Sequence, residues 1–307
     1  MGLFSFNYAK PGPGVDANEP EKKGFFRFWE VIFEKFSKLI GTNALHAALS
    51  IPYLIILYII APVSGEWLQN LAAEMTQNTN DIEIIAETLS MGLRAMFALG
   101  VFMLWGSGPS SAMYSYITRC FTRRDPVWIM SDGFDKFKEN FKQGMIVVII
   151  DIAALVLGIN ALWVYYNFYL QSGGMQWMLL CSLMAMIFVV YTWMHFYIYQ
   201  IMVTFECTIG QIYRNSLLFA IAGLPINLLL TVLNIVIIVG LFLVISNPLI
   251  VIIADLLFLA LLMRFPIEFT AARKIRKVII DAQEKTMPKK EYIDDDGENA
   301  VNGEEDA

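Results

Sequence analysis

Six apolar runs, at about 43–62, 89–116, 143–168, 176–204, 216–245 and 248–267, limit the fold of this chain more than any other feature. Each meets the roughly 17–25 residues that a helix needs to cross a bilayer. Lipid offers no partner to backbone N–H and C=O groups, so a spanning segment is a helix or part of a closed barrel. These runs are too long and continuous for barrel strands. The chain is 57% hydrophobic and 16% charged, with a mean hydropathy of +0.56. Soluble domains stand near 45–50% apolar and about a quarter charged. The expected fold class is therefore all-α: a polytopic membrane protein with a six-helix transmembrane bundle. Residues 1–23 read as a flexible N-terminal tail, 24–280 as one membrane domain, and 281–307 as an acidic disordered C-terminal tail ending YIDDDGENAVNGEEDA.

Basic residues set the orientation. Residues 1–42, 117–142, the turn near 204–216 and residues 264–307 hold 21 of the 22 Lys and Arg, leaving Arg94 alone on the other side. The 62–88 loop has no basic residue and carries Glu66, Glu74, Asp81, Glu83 and Glu87. Both termini are expected inside the cell, with that loop outside. The first residues lack the apolar core and cleavage site of a secretory signal, so the first span is expected to serve as an uncleaved anchor. Cys120, Cys181 and Cys207 have no metal-like spacing and imply no disulfide.

Residues 24–41 place Phe25, Phe28, Trp29, Ile32, Phe33, Phe36 and Leu39 at helical spacing with Lys and Arg between them, as in a helix lying on the inner leaflet. On the inner loop, Val127, Met130, Phe134, Phe137 and Phe141 recur at three- and four-residue steps. This predicts a short amphipathic helix with Ser131 capping its start, Asp132 and Asp135 in its first turn and Lys138 and Lys142 in its last. Such a face rests on headgroups or on its own bundle, or docks a partner through its basic rim. In TIGQIYRNSLLFAI, Thr208 and Gln211 form a capping-box pattern before another inside-to-outside span, a partial echo of the first inner segment. WLQNLAAEM in the outer loop predicts a short helix, and LQSGGM a tight hairpin that makes spans three and four antiparallel neighbours.

Ionisable groups inside a bilayer are costly and are functional candidates by default. Asp151 lies about two turns into span three. Asp255 in span six is placed at a depth similar to Arg94 in span two, where the two are expected to pair. Arg264 and Glu268, one helical turn apart, are expected to pair locally. Asp151 has no sequence-local partner; it is expected to pack against Asn or Tyr of another span, with a proton or cation site as the sharper reading. His46 and His195 read as hydrogen-bonded core residues. Pro52, Pro109, Pro225 and Pro266 are expected to kink or end helices, and Trp163, Tyr165, Tyr166, Tyr169 and Trp177 to form an interfacial belt. No Walker motif, nucleophile elbow, HExxH, GxGxxG or metal-ligand cluster occurs. Neither enzyme activity, a cofactor, a metal nor a nucleic-acid partner is expected.

GPSSAMYSYITRCFTRRD followed by DGFDKFKENFKQG resembles the YesL-like membrane proteins, a bacterial family built on a domain of unknown function (domain of unknown function 624). The resemblance rests on Gly108, Pro109, Ser110, Phe137, Lys138, Asn140, Phe141, Lys142 and Gln143, with Arg214 and Asn215 at a second inner turn. It extends over roughly residues 24–280, and FFRFWEVIFEKFSKLI fits it too. The outer loop 63–88 departs from the family pattern. Genes of the family commonly accompany carbohydrate ABC importers, so the resemblance implies a non-catalytic accessory protein of an oligosaccharide importer in the cytoplasmic membrane. Its partners would be the lipid bilayer and permease or ATPase subunits. The docking residues are then expected to be Met130, Phe134, Phe137, Lys138, Asn140, Phe141 and Lys142 with Arg123 and Arg124. The rival expectation is a small secondary transporter or channel using Asp151 and Asp255.

Overall fold

The computed structural model describes residues 24–63, 65–76, 79–244, 257–258 and 260–280. Every regular element among them is helical. In chain order they are α1 Gly24–Ile60, α2 Gly65–Met75, α3 Thr79–Trp105, α4 Pro109–Arg123, α5 Ile129–Glu139, α6 Phe141–Ser172, α7 Met175–Thr204, α8 Ile209–Ala222, α9 Leu224–Val244 and α10 Ala260–Ile275. A π-helical turn, Arg276–Ile280, follows α10. Five of the described segments are long and apolar enough to cross a membrane: α1, Asp81–Trp105, α6, α7 and Leu224–Leu241. The described residues are thus all-α, and several of their helices are long and apolar enough to cross a membrane. Half of the expected sixth span, 248–267, falls outside the described residues; its second part lies in α10.

Several boundaries differ from the sequence expectation. The inner-leaflet helix and the first span follow each other without a loop in α1; they meet at a kink at Lys35, where φ is −112° and ψ 17°, rather than near residue 42. Helix α3 begins about ten residues before the apolar run it contains. It continues outward because α2 gives it an apolar partner: Leu68, Ala72 and Ala86 are buried together, with Ile82 and Ile85 packed against them. Helix α5 starts at Ile129 rather than at a Ser131 cap. Asp132 supplies the end contact instead, its carboxylate accepting from the Trp128 N–H at 2.9 Å. The capping box of Thr208 and Gln211 is present at the start of α8. The run 216–245 is divided at Gly223 into α8 and α9.

The run expected at 89–116 is likewise two helices, α3 and α4, parted at Gly106–Gly108. Gly106 and Gly108 adopt φ of 84° and 71°, a left-handed region that residues with a Cβ avoid. Irregular backbone at membrane depth requires internal hydrogen bonds. Gly106 N–H donates to the Phe102 carbonyl at 2.9 Å. Ser107 N–H donates to Ser111 Oγ at 2.8 Å, and Gly108 N–H to the Tyr199 hydroxyl at 3.0 Å. The break also lets α4 and α6 touch backbone to backbone: a Cβ on Gly144 would lie 2.5 Å from the Pro109 nitrogen.

The turn after α6 ends in a left-handed Gly173, which reverses the chain into α7. Residues equally far from that turn meet across the hairpin. Gly158 and Phe188, each 15 residues from Gly173, are in contact. The ends of the bundle are tied by side chains: Arg27 reaches the Thr122 carbonyl (3.3 Å), Arg119 the Val203 carbonyl (3.0 Å), and Gln143 the Cys207 carbonyl (2.9 Å). The start of α1, the end of α4, α5, the start of α6 and the α7–α8 turn therefore share one end, which we call the basic end.

Candidate functional site

Three polar clusters lie in the interior around the α3–α4 break. The first fills the break itself. Ser50 of α1 contacts Ser107 at 2.6 Å and Ser110 at 2.9 Å, and Ser107 contacts Ser110 at 2.7 Å. His46 Nε2 lies 3.1 Å from Ser111 Oγ, and its ring is held between Phe102 and Tyr114, both at 4.8 Å. Serine hydroxyls both donate and accept, so each can satisfy the others while supporting the exposed backbone of the break.

The second cluster centres on Asp151. It is fully buried, and so is His195 beside it, with Nε2 2.8 Å from Asp151 Oδ1. The register of the α6–α7 hairpin brings them together, since each stands 22 residues from Gly173. Tyr191, one turn before His195, donates its hydroxyl to the same Oδ1 at 2.7 Å, and the Tyr213 hydroxyl of α8 lies 3.4 Å further out. Trp105, the last residue of α3, stacks on the His195 ring at 5.0 Å.

Proton positions in this cluster follow from its acceptors. His195 Nδ1 lies 3.0 Å from the Tyr191 carbonyl, which can only accept, so Nδ1 carries a hydrogen. The contact between Nε2 and Oδ1 then needs one further proton, on the imidazole or on the carboxyl. With only one hydrogen placed on Nε2, the Nδ1 lone pair would face a carbonyl oxygen. Both allowed arrangements hold the same number of protons and leave the pair neutral overall. Loss of that proton leaves a buried carboxylate that still accepts from the Tyr191 hydroxyl. Asp151 Oδ2 has no hydrogen-bond partner among the described residues.

The third cluster is built on α10. Arg264 and Glu268 are almost wholly buried and form an ion pair at 2.8 Å. Its Nη2–Oε1 contact is off the N–H axis, so Nη2 and Nε remain without a hydrogen bond, whereas Nη1 donates to the Met103 carbonyl at 3.1 Å. Glu268 Oε2 accepts from Ser115 Oγ and from Gln200 Nε2, both at 2.7 Å. Tyr53 and Tyr199 stand within electrostatic reach of both Asp151 and Arg264, so the second and third clusters adjoin.

The other residues singled out in the sequence fall elsewhere. Arg94 donates to the Tyr58 and Ile59 carbonyls that end α1, at 3.4 and 3.5 Å, and to Ser90. Asp255 lies outside the described residues. On α5, the apolar face is used largely within the chain. Gly133 is buried against Met113 and Ile117 of α4, and Val127, Ile129 and Phe137 join a cluster with α1, α4 and α10. Phe134 is half-buried, and Asn140 caps α5 by donating to the Lys136 carbonyl. Lys138, Lys142, Met130 and Phe141 are exposed, as is Trp128. Arg123 is half-buried and Arg124 pairs with Glu30 at 3.0 Å.

No family model, curated protein or solved structure matches this chain. Tyr191, Tyr213, Gln200, Ser115 and the four serines of the break were not singled out by function in the sequence. For the Asp151 cluster the usable signal was the hairpin register: counting outward from Gly173 places His195 opposite Asp151.

Proposed function

We propose that the protein is a non-enzymatic six-span transporter of the cytoplasmic membrane, with both termini inside, whose transport step is linked to a proton held between Asp151 and His195. The observation that carries the reading is this fully buried acid–base pair, whose geometry accommodates one exchangeable proton beside an unpartnered Oδ2. The discontinuous α3–α4 helix supports it, since secondary transporters build midplane sites where spanning helices are interrupted. Tyr213 and Tyr191 form a short hydroxyl route from α8 toward Asp151. Span 248–267 completes the bundle in this reading.

Reconstitution tests it. Purified protein in liposomes carrying an internal pH dye and an imposed pH gradient should discharge the gradient. Asp151→Asn and His195→Gln should lose that flux while keeping a wild-type elution profile and helical content. Undiminished flux in Asp151→Asn would sink the proposal, and so would wild-type protein that moves no protons.

A second reading rests on a different observation: Trp128, Met130 and Phe141 stay exposed beside Lys138 and Lys142, at the segment that resembles YesL-like proteins. There the protein is an accessory subunit of an oligosaccharide ABC importer, docking permease or ATPase subunits. Near-stoichiometric co-purification of such subunits from native membranes is its expected result, and a solitary protein counts against it.

A further inference from the structure

At the basic end, the start of α1, the end of α4 and the last turns of α10 enclose a cavity of about 960 Å³. Arg27, Arg123 and Arg124 line it together with Arg273, Lys274, Arg276 and Lys277, and none of its described lining residues is acidic. The carboxylate beside it, Glu30, is engaged by Arg27 at 2.6 Å and by Arg124 at 3.0 Å. Arg123, Arg273 and Lys277 have no carboxylate partner among the described residues. Arg273 lies over the Phe269 ring at 5.6 Å, and Lys274 over Tyr197 at 5.7 Å. Lys274 also donates to the Phe219 carbonyl at 3.5 Å, and burial lowers its ammonium below the ordinary lysine range.

Basic residues at helix C-termini offset the helix dipole, which accounts for one or two of these charges. It does not account for Arg123 of α4 meeting Arg273 and Lys277 at the end of α10 around one concavity, where an anion would relieve their mutual repulsion. The lining is also aromatic, with Phe25, Phe28 and Trp29 of α1, while Phe26 and Phe33 of the same helix are mostly exposed. Exposed aromatics between basic residues mark the headgroup level of a bilayer. A ligand matching both the cations and the aromatics has a phosphate at one end and hydrocarbon at the other.

We propose that this cavity binds the phosphate of an anionic phospholipid, with Arg123, Arg273 and Lys277 as charge partners and Phe25, Phe28 and Trp29 beside the start of the acyl chains. The site is separate from the Asp151–His195 pair and stands or falls independently of proton transport.

Native mass spectrometry of the full chain, released from micelles containing phosphatidylglycerol and phosphatidylcholine, tests the proposal. The expected result is one retained phosphatidylglycerol per chain. Arg123→Gln with Arg273→Gln should lower its occupancy roughly thirty-fold, at about 1 kcal/mol for each interfacial cation. Lys38→Gln with Arg214→Gln, which removes two exposed cations of the same end outside the cavity, should not. Lys277→Gln alone, at an exposed position, should give about a fivefold loss by the same arithmetic and covers the case where the double variant fails to fold. Equal losses in the cavity and control variants would reduce the effect to diffuse surface charge and overturn the site. Thermal stabilisation by inorganic phosphate, lost in Arg123→Gln/Arg273→Gln and unaccompanied by retained lipid, would overturn the lipid source and assign a soluble phosphate. Retention of neither would overturn the proposal entirely.

Discussion

Arg264 and Glu268 pair within one turn of α10, whereas Asp151 and His195 meet only because α6 and α7 fold back on each other. The local pair leaves no carboxylate oxygen without a contact, although Nε and Nη2 of Arg264 make no hydrogen bond. Both Glu268 oxygens are engaged, and Arg264, Ser115 and Gln200 tie α10 to α3, α4 and α7. The hairpin pair is open, with one carboxylate oxygen unpartnered and a proton that can sit on either residue. Two buried acid–base contacts of equal length, 2.8 Å each, thus do different work. The first is a strut whose charges must persist for the bundle to hold; the second holds a charge balance that one proton changes.

The largest way to break this comparison is to remove half of the strut. Arg264→Met leaves Glu268 ionised and unpaired in the interior, and should destabilise by about 3–5 kcal/mol. Denaturant unfolding in micelles measures it, and adding Glu268→Met should restore most of the loss by removing the stranded charge. A loss below about 1 kcal/mol for Arg264→Met would mean that Glu268 takes up a proton readily, and the two pairs would no longer differ. Next in size is Gly144→Ala. The added carbon meets the Pro109 nitrogen at 2.5 Å and Cδ at 2.8 Å, atoms of backbone and ring that cannot rotate away. Overpacking of this kind typically destabilises by about 1–3 kcal/mol. Because it forces α6 away from α4 at the break, proton flux should fall along with stability.

The strut was legible in the sequence because its residues lie four apart on one helix, and local spacing is what periodicity reads. The helix interruption at Pro109 and the Thr208–Gln211 capping box were legible for the same reason. Asp151 with His195 was not paired in advance, since 44 positions separate them and only the hairpin register joins them. Apolar periodicity could not tell which neighbour the α5 face meets. It marked Phe137 as a contact residue, and the contact is made, but largely with α1, α4 and α10 of the same chain. Hydropathy merged α3 with α4 because Gly106–Gly108 interrupts the helix without interrupting apolarity. The reverse held at residues 79–88, where acidic residues ended the apolar run although α2 lets the helix continue.

Two substitutions with small effects on stability sharpen the contrast most. Asp151→Asn keeps a side chain of the same shape, and interhelical hydrogen bonds in membranes are worth on average about 0.6 kcal/mol and at most about 1.7. Its unfolding should therefore shift by no more than that, several-fold less than for Arg264→Met, while the pH-gradient discharge in liposomes disappears. Tyr213→Phe should do least of all. Its hydroxyl is 3.4 Å from Tyr191 and contacts no charged atom directly, so stability should change by less than about 0.6 kcal/mol. If protons enter through Tyr213 and Tyr191, the flux still slows, because the outer hydroxyl of the route has gone while Tyr191 keeps its bond to Asp151. Unchanged flux in Tyr213→Phe together with lost flux in Asp151→Asn would place the proton's entry elsewhere; among the described residues the serines of the α3–α4 break and the polar cluster around Glu268 are the other polar approaches.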